Sequence, residues 1–135
     1  MKLLLDTHIL LWTLIDDLRL PQKAREMIGD TRNEKFLSTV SFWEIEIKHL
    51  SHPDKMPLCA KDLAAYCEHA GIKEIPVAKQ HVFALASLQR PETAPLHKAP
   101  FDRIMICQAI EEGLFFLTHD KLLKDYQQSC VIYCA

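Results

Sequence analysis

Three aspartates stand where short apolar segments end or helices begin. Asp6 directly follows the three leucines at 3–5, and Asp120 follows the apolar run 114–117 by three residues. Asp102 opens a mostly apolar stretch with helical spacing. Acids in a first helical turn often stabilise the helix as caps. When Asp102 and Asp120 are each considered alone, this role as a helix cap is the favoured interpretation. Asp6 differs, because an acid that ends a buried strand needs polar partners.

A fourth acid lies in segment 41–48, where apolar residues recur with helical spacing. Glu44 and Glu46 flank the apolar face on opposite sides, so periodicity does not choose between them. Glu44 could also form an ordinary i,i+4 pair with Lys48. At this point both glutamates remain candidates.

Acids that converge on one pocket raise each other's pKa, and a hard divalent cation relieves that conflict. Mg²⁺ binds through a few carboxylates, keeps several waters and leaves room for phosphate oxygens of a substrate. Such a cation activates water and stabilises the charge that develops in phosphodiester cleavage. The acids therefore point to metal-assisted phosphodiester chemistry if the fold brings them together.

The elements that must position these acids alternate between strands and helices. Strands are predicted over residues 2–6, 35–38, 72–77, 114–117 and 131–133. Helices are predicted over residues 8–16, 21–28, 41–50, 60–70, 78–88, 101–112 and 120–126, the third capped by Ser41. This alternation predicts an α/β fold with a parallel sheet covered on both faces. Ligands of such sheets bind at the carboxyl ends of the strands.

Composition excludes several other classes of protein. The 135 residues suit a single domain, 1–135, with 16 basic and 18 acidic side chains, so only a local patch could attract a polyanion. The three glycines are too far apart for a dinucleotide-binding or P-loop motif. Apolar runs are too short for a transmembrane helix. The five cysteines, an odd number without a C-x-x-C motif, favour reduced thiols in a cytoplasmic protein.

Four segments carry a resemblance that spans essentially the whole chain. They are LLDTHILLW at 4–12, SFWEI at 41–45, PFDR at 100–103 and LTHD at 117–120. In this order, each with its acid, they resemble PIN-domain proteins, and most of all the VapC-type toxins of bacterial toxin–antitoxin pairs. The resemblance implies a three-layer α/β/α fold with a short central parallel sheet.

The resemblance also implies a site and an activity. Asp6, Glu44, Asp102 and Asp120 match the acidic quartet that holds Mg²⁺ or Mn²⁺, which selects Glu44 over Glu46. The implied activity is endonucleolytic hydrolysis of RNA by a metal-activated water, which leaves a 5′-phosphate and a 3′-hydroxyl.

Other positions follow from the same resemblance. Thr7 and Thr118 match small hydroxyl residues beside the metal site, and Arg103 matches a basic residue that meets a phosphate or bridges the acids. Basic residues in or beside the blocks, Lys48 among them, are candidates for an RNA-gripping rim. The resemblance implies an antitoxin that binds near the first helices, and a homodimer.

One position departs from the family pattern. Family members often carry an aspartate where this chain has Ala99, although that position is outside the quartet. The alternative interpretation is therefore a catalytically weak or inactive PIN-fold binding module that engages an antitoxin or RNA. A metal phosphatase acting on small phosphoesters is a third.

Overall fold

A five-stranded parallel sheet forms the centre of the computed structural model, which describes residues 1–94 and 99–135. The strands are β1 (Lys2–Leu5), β2 (Glu34–Ser38), β3 (Lys73–Ile75), β4 (Phe115–Thr118) and β5 (Val131–Tyr133). Their order is β3-β2-β1-β4-β5, and all four neighbouring pairs are parallel. The predicted parallel sheet is confirmed.

Among the described residues, six α-helices connect and cover these strands. They are α1 (Thr7–Leu14), α2 (Gln22–Gly29), α3 (Thr39–Ser51), α4 (Ala60–His69), α5 (Lys79–Ala84) and α6 (Pro100–Glu112). Short 3₁₀ helices follow at Leu85–Ser87 and Lys121–Asp125. One face of the sheet packs on α1, α2 and α4, and the other packs on α6 and the second 3₁₀ helix. The three-layer α/β/α arrangement is therefore confirmed.

The central strand β1 explains why its sequence is continuously apolar. Leu3, Leu4 and Leu5 are all fully buried. Leu3 and Leu5 pack in the core on one face of the sheet, and Leu4 packs in the core on the other. A strand that is covered on both faces has no solvent side for polar residues.

Some predicted boundaries are wrong for local reasons. Helix α3 begins at Thr39, and the Ser38 hydroxyl accepts the Val40 amide, so Ser38 is the cap and Ser41 lies inside the helix. The helix predicted over 78–88 tightens into a 3₁₀ turn after Ala84, and that predicted over 120–126 is the 3₁₀ helix capped by Asp120.

The predicted end of α6 is confirmed, with Gly113 in the left-handed region at φ 69°. Residues 95–98, between the helices predicted over 78–88 and 101–112, lie outside the described residues. Across the two described ranges, none of the helices has the length and hydropathy needed to cross a bilayer.

We expect Ser38→Ala to lower the free energy of unfolding by about 1 kcal/mol, because it removes the hydroxyl that satisfies the first turn of α3. A Tm decrease of about 3–5 °C should follow in a chain of this size. Thermal unfolding by circular dichroism measures it, with Ser51→Ala at the exposed end of the same helix as control. Equal Tm values for both variants would contradict the cap.

Candidate active site

The site lies where the connectivity of the sheet changes direction. The chain leaves β1 towards β2 on one side and later enters β4 on the other side of β1. Leu5 and Leu117 are in register at the carboxyl ends of these strands, and the Asp6 amide donates to the Leu117 carbonyl at 3.0 Å. Parallel sheets bind ligands at this kind of switch point.

A cavity of about 260 Å³ opens at this edge, and its lining includes all four acids of the predicted quartet. Asp6 follows β1, Glu44 comes from α3, Asp102 from the first turn of α6, and Asp120 follows β4. The fold thus brings together four side chains that are separated by up to 114 residues. Three further side chains, His8, Trp12 and His119, complete the lining.

The electrostatics of the cavity are dominated by burial of like charges. Asp6 is only 6% exposed, and burial raises its pKa above the ordinary value. Burial, and then the charges of Asp6, Glu44 and Asp120, raise the pKa of Asp102 to about 8. Asp102 also shares a hydrogen bond with Asp6, which requires a proton between the two carboxyls. At neutral pH the pair therefore retains a proton.

The hydroxyl of Thr118 connects two of the acids. It donates to Oδ2 of Asp6 at 2.7 Å and accepts the amide of Asp120 at 3.1 Å. The Thr7 amide donates to Oδ1 of Asp6 at 2.7 Å. Both oxygens of the buried Asp6 carboxyl are therefore held in place, as a buried carboxylate requires.

Glu44 is held by a second threonine and by a lysine. The Thr7 hydroxyl donates to Oε1 of Glu44 at 2.9 Å, and Lys48 Nζ donates to Oε2 at 3.1 Å. Glu46 instead accepts the Ala60 amide at 3.1 Å, in the first turn of α4. The two glutamates thus face different neighbours: Glu44 lines the cavity, whereas Glu46 stabilises the start of a helix.

The remaining predicted residues lie away from the cavity lining. The Arg103 side chain is hydrogen-bonded to the Tyr126 hydroxyl, and Lys48 reaches the cavity only through Glu44. Lys98, another basic residue beside the four segments, lies outside the described residues. Ala99, the position that departs from the family pattern, immediately precedes α6.

Sequence reasoning did not assign the three rings of the cavity to the site. His8 and Trp12 are four residues apart on α1, so their helical spacing could have placed them on one face. His119 lies between Thr118 and Asp120, and no pattern distinguished it from a surface histidine.

The donor set suits a hard divalent cation. Four carboxylates supply oxygen ligands only, and the cavity is large enough for a cation that keeps some of its waters. Within residues 1–94 and 99–135, no three His, Cys, Asp or Glu side chains are already spaced as a ligand group. Binding of a cation by these carboxylates would therefore require side-chain adjustments.

We expect the stability of the protein in EDTA to fall as pH rises from about 4 to 8. The folded chain keeps a proton on Asp102 up to a pKa of about 8, whereas the unfolded chain releases it near 3.8. Asp102→Asn removes this dependence, so its Tm should exceed that of the wild type by about 5 °C or more at pH 8.5 and by little at pH 4.

The matched control is Asp54→Asn, which changes an exposed aspartate in a turn. Its Tm should differ from that of the wild type by the same small amount at both pH values. A Tm difference for Asp102→Asn that does not grow with pH would show that Asp102 has an ordinary pKa.

Two solved structures share this fold. The structure of VapBC2 from Rickettsia felis, bound to a DNA fragment from its promoter, contains a chain that superposes with a TM-score of 0.68 at 14% identity, covering 100% of both chains. A toxin–antitoxin complex from Klebsiella pneumoniae gives a TM-score of 0.60 at 17% identity, covering 98% of this chain and 97% of the other. At the level of sequence, none of the curated proteins matches significantly.

The family model described as the PIN domain matches residues 3–128, a range that includes β4, all of β1 but its first residue, and all four acids of the cavity. Because that match covers nearly the whole chain, the protein belongs to the PIN-domain family.

Proposed function

We propose that this protein is a divalent-metal-dependent endoribonuclease that acts as the toxin of a toxin–antitoxin pair. The observation that carries the proposal is the convergence of four carboxylates, one with a pKa of about 8, on one cavity at the carboxyl edge of the sheet. PIN domains are in general nucleases. The toxin–antitoxin complexes that share the fold support the toxin role.

Asp6 and Asp102 are the main ligands of Mg²⁺ or Mn²⁺ in this proposal, and Glu44 and Asp120 complete the site directly or through waters. The bound cation supplies an activated water and neutralises charge on the phosphate. Asp102 must lose its proton to become a ligand, which links cation binding to pH.

The threonines and the lysine position the carboxylates. Thr118 directs one oxygen of Asp6, and Thr7 directs one oxygen of Glu44. Lys48 leaves 41% of its side chain exposed beside Glu44, where an RNA phosphate can approach it. A phosphate contact by Arg103 stays a prediction, since Arg103 bonds the Tyr126 hydroxyl.

The proposed antitoxin binds near α1, where the resemblance places it. Leu11, Trp12 and Leu14 pack against the core, whereas Ile15 is 66% exposed and Leu18 is 96% exposed. These two exposed apolar side chains are the ones that such a partner would cover. The homodimer and a cytoplasmic location stay predictions.

Glu44→Gln and Glu46→Gln provide a matched test of the nuclease. We expect Glu44→Gln to lower Mg²⁺- or Mn²⁺-dependent cleavage of a labelled structured RNA at least 100-fold, because it removes a cavity carboxylate. Glu46→Gln, two residues along the same helix, should retain cleavage and lose about 1 kcal/mol of stability with its contact to α4. Initial rates and Tm values distinguish the two effects.

Three outcomes of this experiment have distinct meanings. Cleavage that EDTA abolishes, and that only Glu44→Gln loses, supports the metal-dependent nuclease. Equal cleavage by both variants, or cleavage that persists in EDTA, contradicts it. RNA binding without cleavage by the wild-type protein would favour the binding module instead.

A further inference from the structure

The cavity has two chemically different sides. One side carries the four carboxylates, and the other carries the rings of His8, Trp12 and His119, which we call the aromatic wall. Carboxylates repel phosphates and offer an uncharged nucleobase nothing to stack on. The aromatic wall brings three rings to the lining of the same 260 Å³ cavity.

The aromatic wall is held rigid by ring contacts. His8 stacks on Trp12 with ring centroids 5.8 Å apart, and Trp12 meets His119 edge to face at 5.4 Å. His119 is fixed further by its Nδ1–H, which donates to the Cys134 carbonyl at 2.8 Å, and by stacking on Tyr133. A preorganised wall loses little side-chain entropy when a ligand packs on it.

Cations lie over one ring of the aromatic wall and over Tyr133, the ring that stacks on its His119. The Arg19 guanidinium lies 5.5 Å from the centre of the Trp12 ring, and Lys124 Nζ lies 4.7 Å from that of Tyr133. Asp17 pairs with Arg19, yet 70% of the Arg19 side chain is exposed. The Arg19 guanidinium is therefore accessible to a ligand, although Asp17 balances its charge.

A second cavity, of about 490 Å³, continues outward from the aromatic wall. His119 lines both cavities, and Arg19 and Arg25 line the second. A strand of nucleic acid that leaves the acidic cavity through the second one therefore passes along the rings and then along two guanidinium groups, which pair with Asp17 and Asp16. Rings with interspersed cations are the usual means of holding unpaired nucleotides.

We propose that the aromatic wall is a stacking subsite for the nucleobase next to the scissile phosphate. This proposal rests on the proposed nuclease function and adds a requirement to it: the substrate must present an unpaired nucleotide at the cleavage site. A base within a duplex is covered on both faces by its neighbours and does not reach the wall.

Fluorescence of Trp12 tests the contact directly. The chain has two tryptophans, so Trp43→Phe leaves Trp12 as the only one, and Asp102→Asn prevents cleavage during the titration. In Mg²⁺, an eight-nucleotide single-stranded RNA should quench Trp12 emission saturably. The same RNA annealed to its complement should quench at least tenfold less at equal concentration.

Kinetics test the consequence for the reaction. In the Trp43→Phe protein with all four acids intact, Trp12→Ala should raise KM for single-stranded RNA about tenfold or more, with a smaller change in kcat. Trp12→Phe keeps a ring and should restore most of the lost affinity, which a merely structural role of the indole does not predict. His119→Ala should also raise KM, whereas His69→Ala, at the exposed end of α4, should not.

The outcomes separate this proposal from the nuclease function. Cleavage of RNA with unchanged Trp12 emission and unchanged KM in Trp12→Ala overturns the stacking subsite and leaves the nuclease standing. Saturable quenching without cleavage by any protein supports the subsite and overturns the nuclease. Neither quenching nor cleavage overturns both.

Discussion

Four carboxylates share one cavity at the carboxyl edge of the sheet, and the free energy of bringing their charges together must be offset elsewhere in the molecule. The folded chain does this in three ways: threonine hydroxyls donate to Asp6 and Glu44, Lys48 pairs with Glu44, and Asp102 retains a proton. A divalent cation that binds these carboxylates would replace the proton that Asp102 retains. The same repulsion that destabilises the cavity is therefore what would make it a cation site.

The fold gives two of the acids a second role. Asp6 accepts the first amide of α1, and Asp120 accepts the Leu122 amide in the following 3₁₀ helix. The cap expected for Asp120 is therefore confirmed, Asp6 caps a helix without this having been expected, and both carboxyls also line the cavity. A helix that begins directly after a strand places its capping carboxylate at the sheet edge. Acids that follow the neighbouring strands lie at the same edge. Glu46 shows the contrast, since it stabilises α4 and takes no part in the cavity.

Most of the fold could be predicted from the sequence because strands buried on both faces and helices with clear stop residues leave strong local patterns. Boundaries were wrong where a neighbouring residue competed for the same role, as with Ser38 and Ser41 at the start of α3. The convergence of Asp6, Asp102 and Asp120 could be expected from their positions at strand and helix ends, but the choice of Glu44, inside α3, needed the family resemblance. The aromatic wall was missed because contacts between α1 and the segment after β4 depend on tertiary packing, which no local spacing encodes.

The central claim is that a divalent cation takes the place of a proton among these carboxylates. Isothermal titration of the wild-type protein with Mn²⁺ at pH 7, in two buffers of different ionisation enthalpy, measures cation binding and proton release together. The account predicts saturable binding with release of close to one proton, because the pKa of Asp102 is about 8. Asp102→Asn should weaken the binding and abolish the release. Absence of Mn²⁺ binding by the wild-type protein, or binding without proton release, would contradict it.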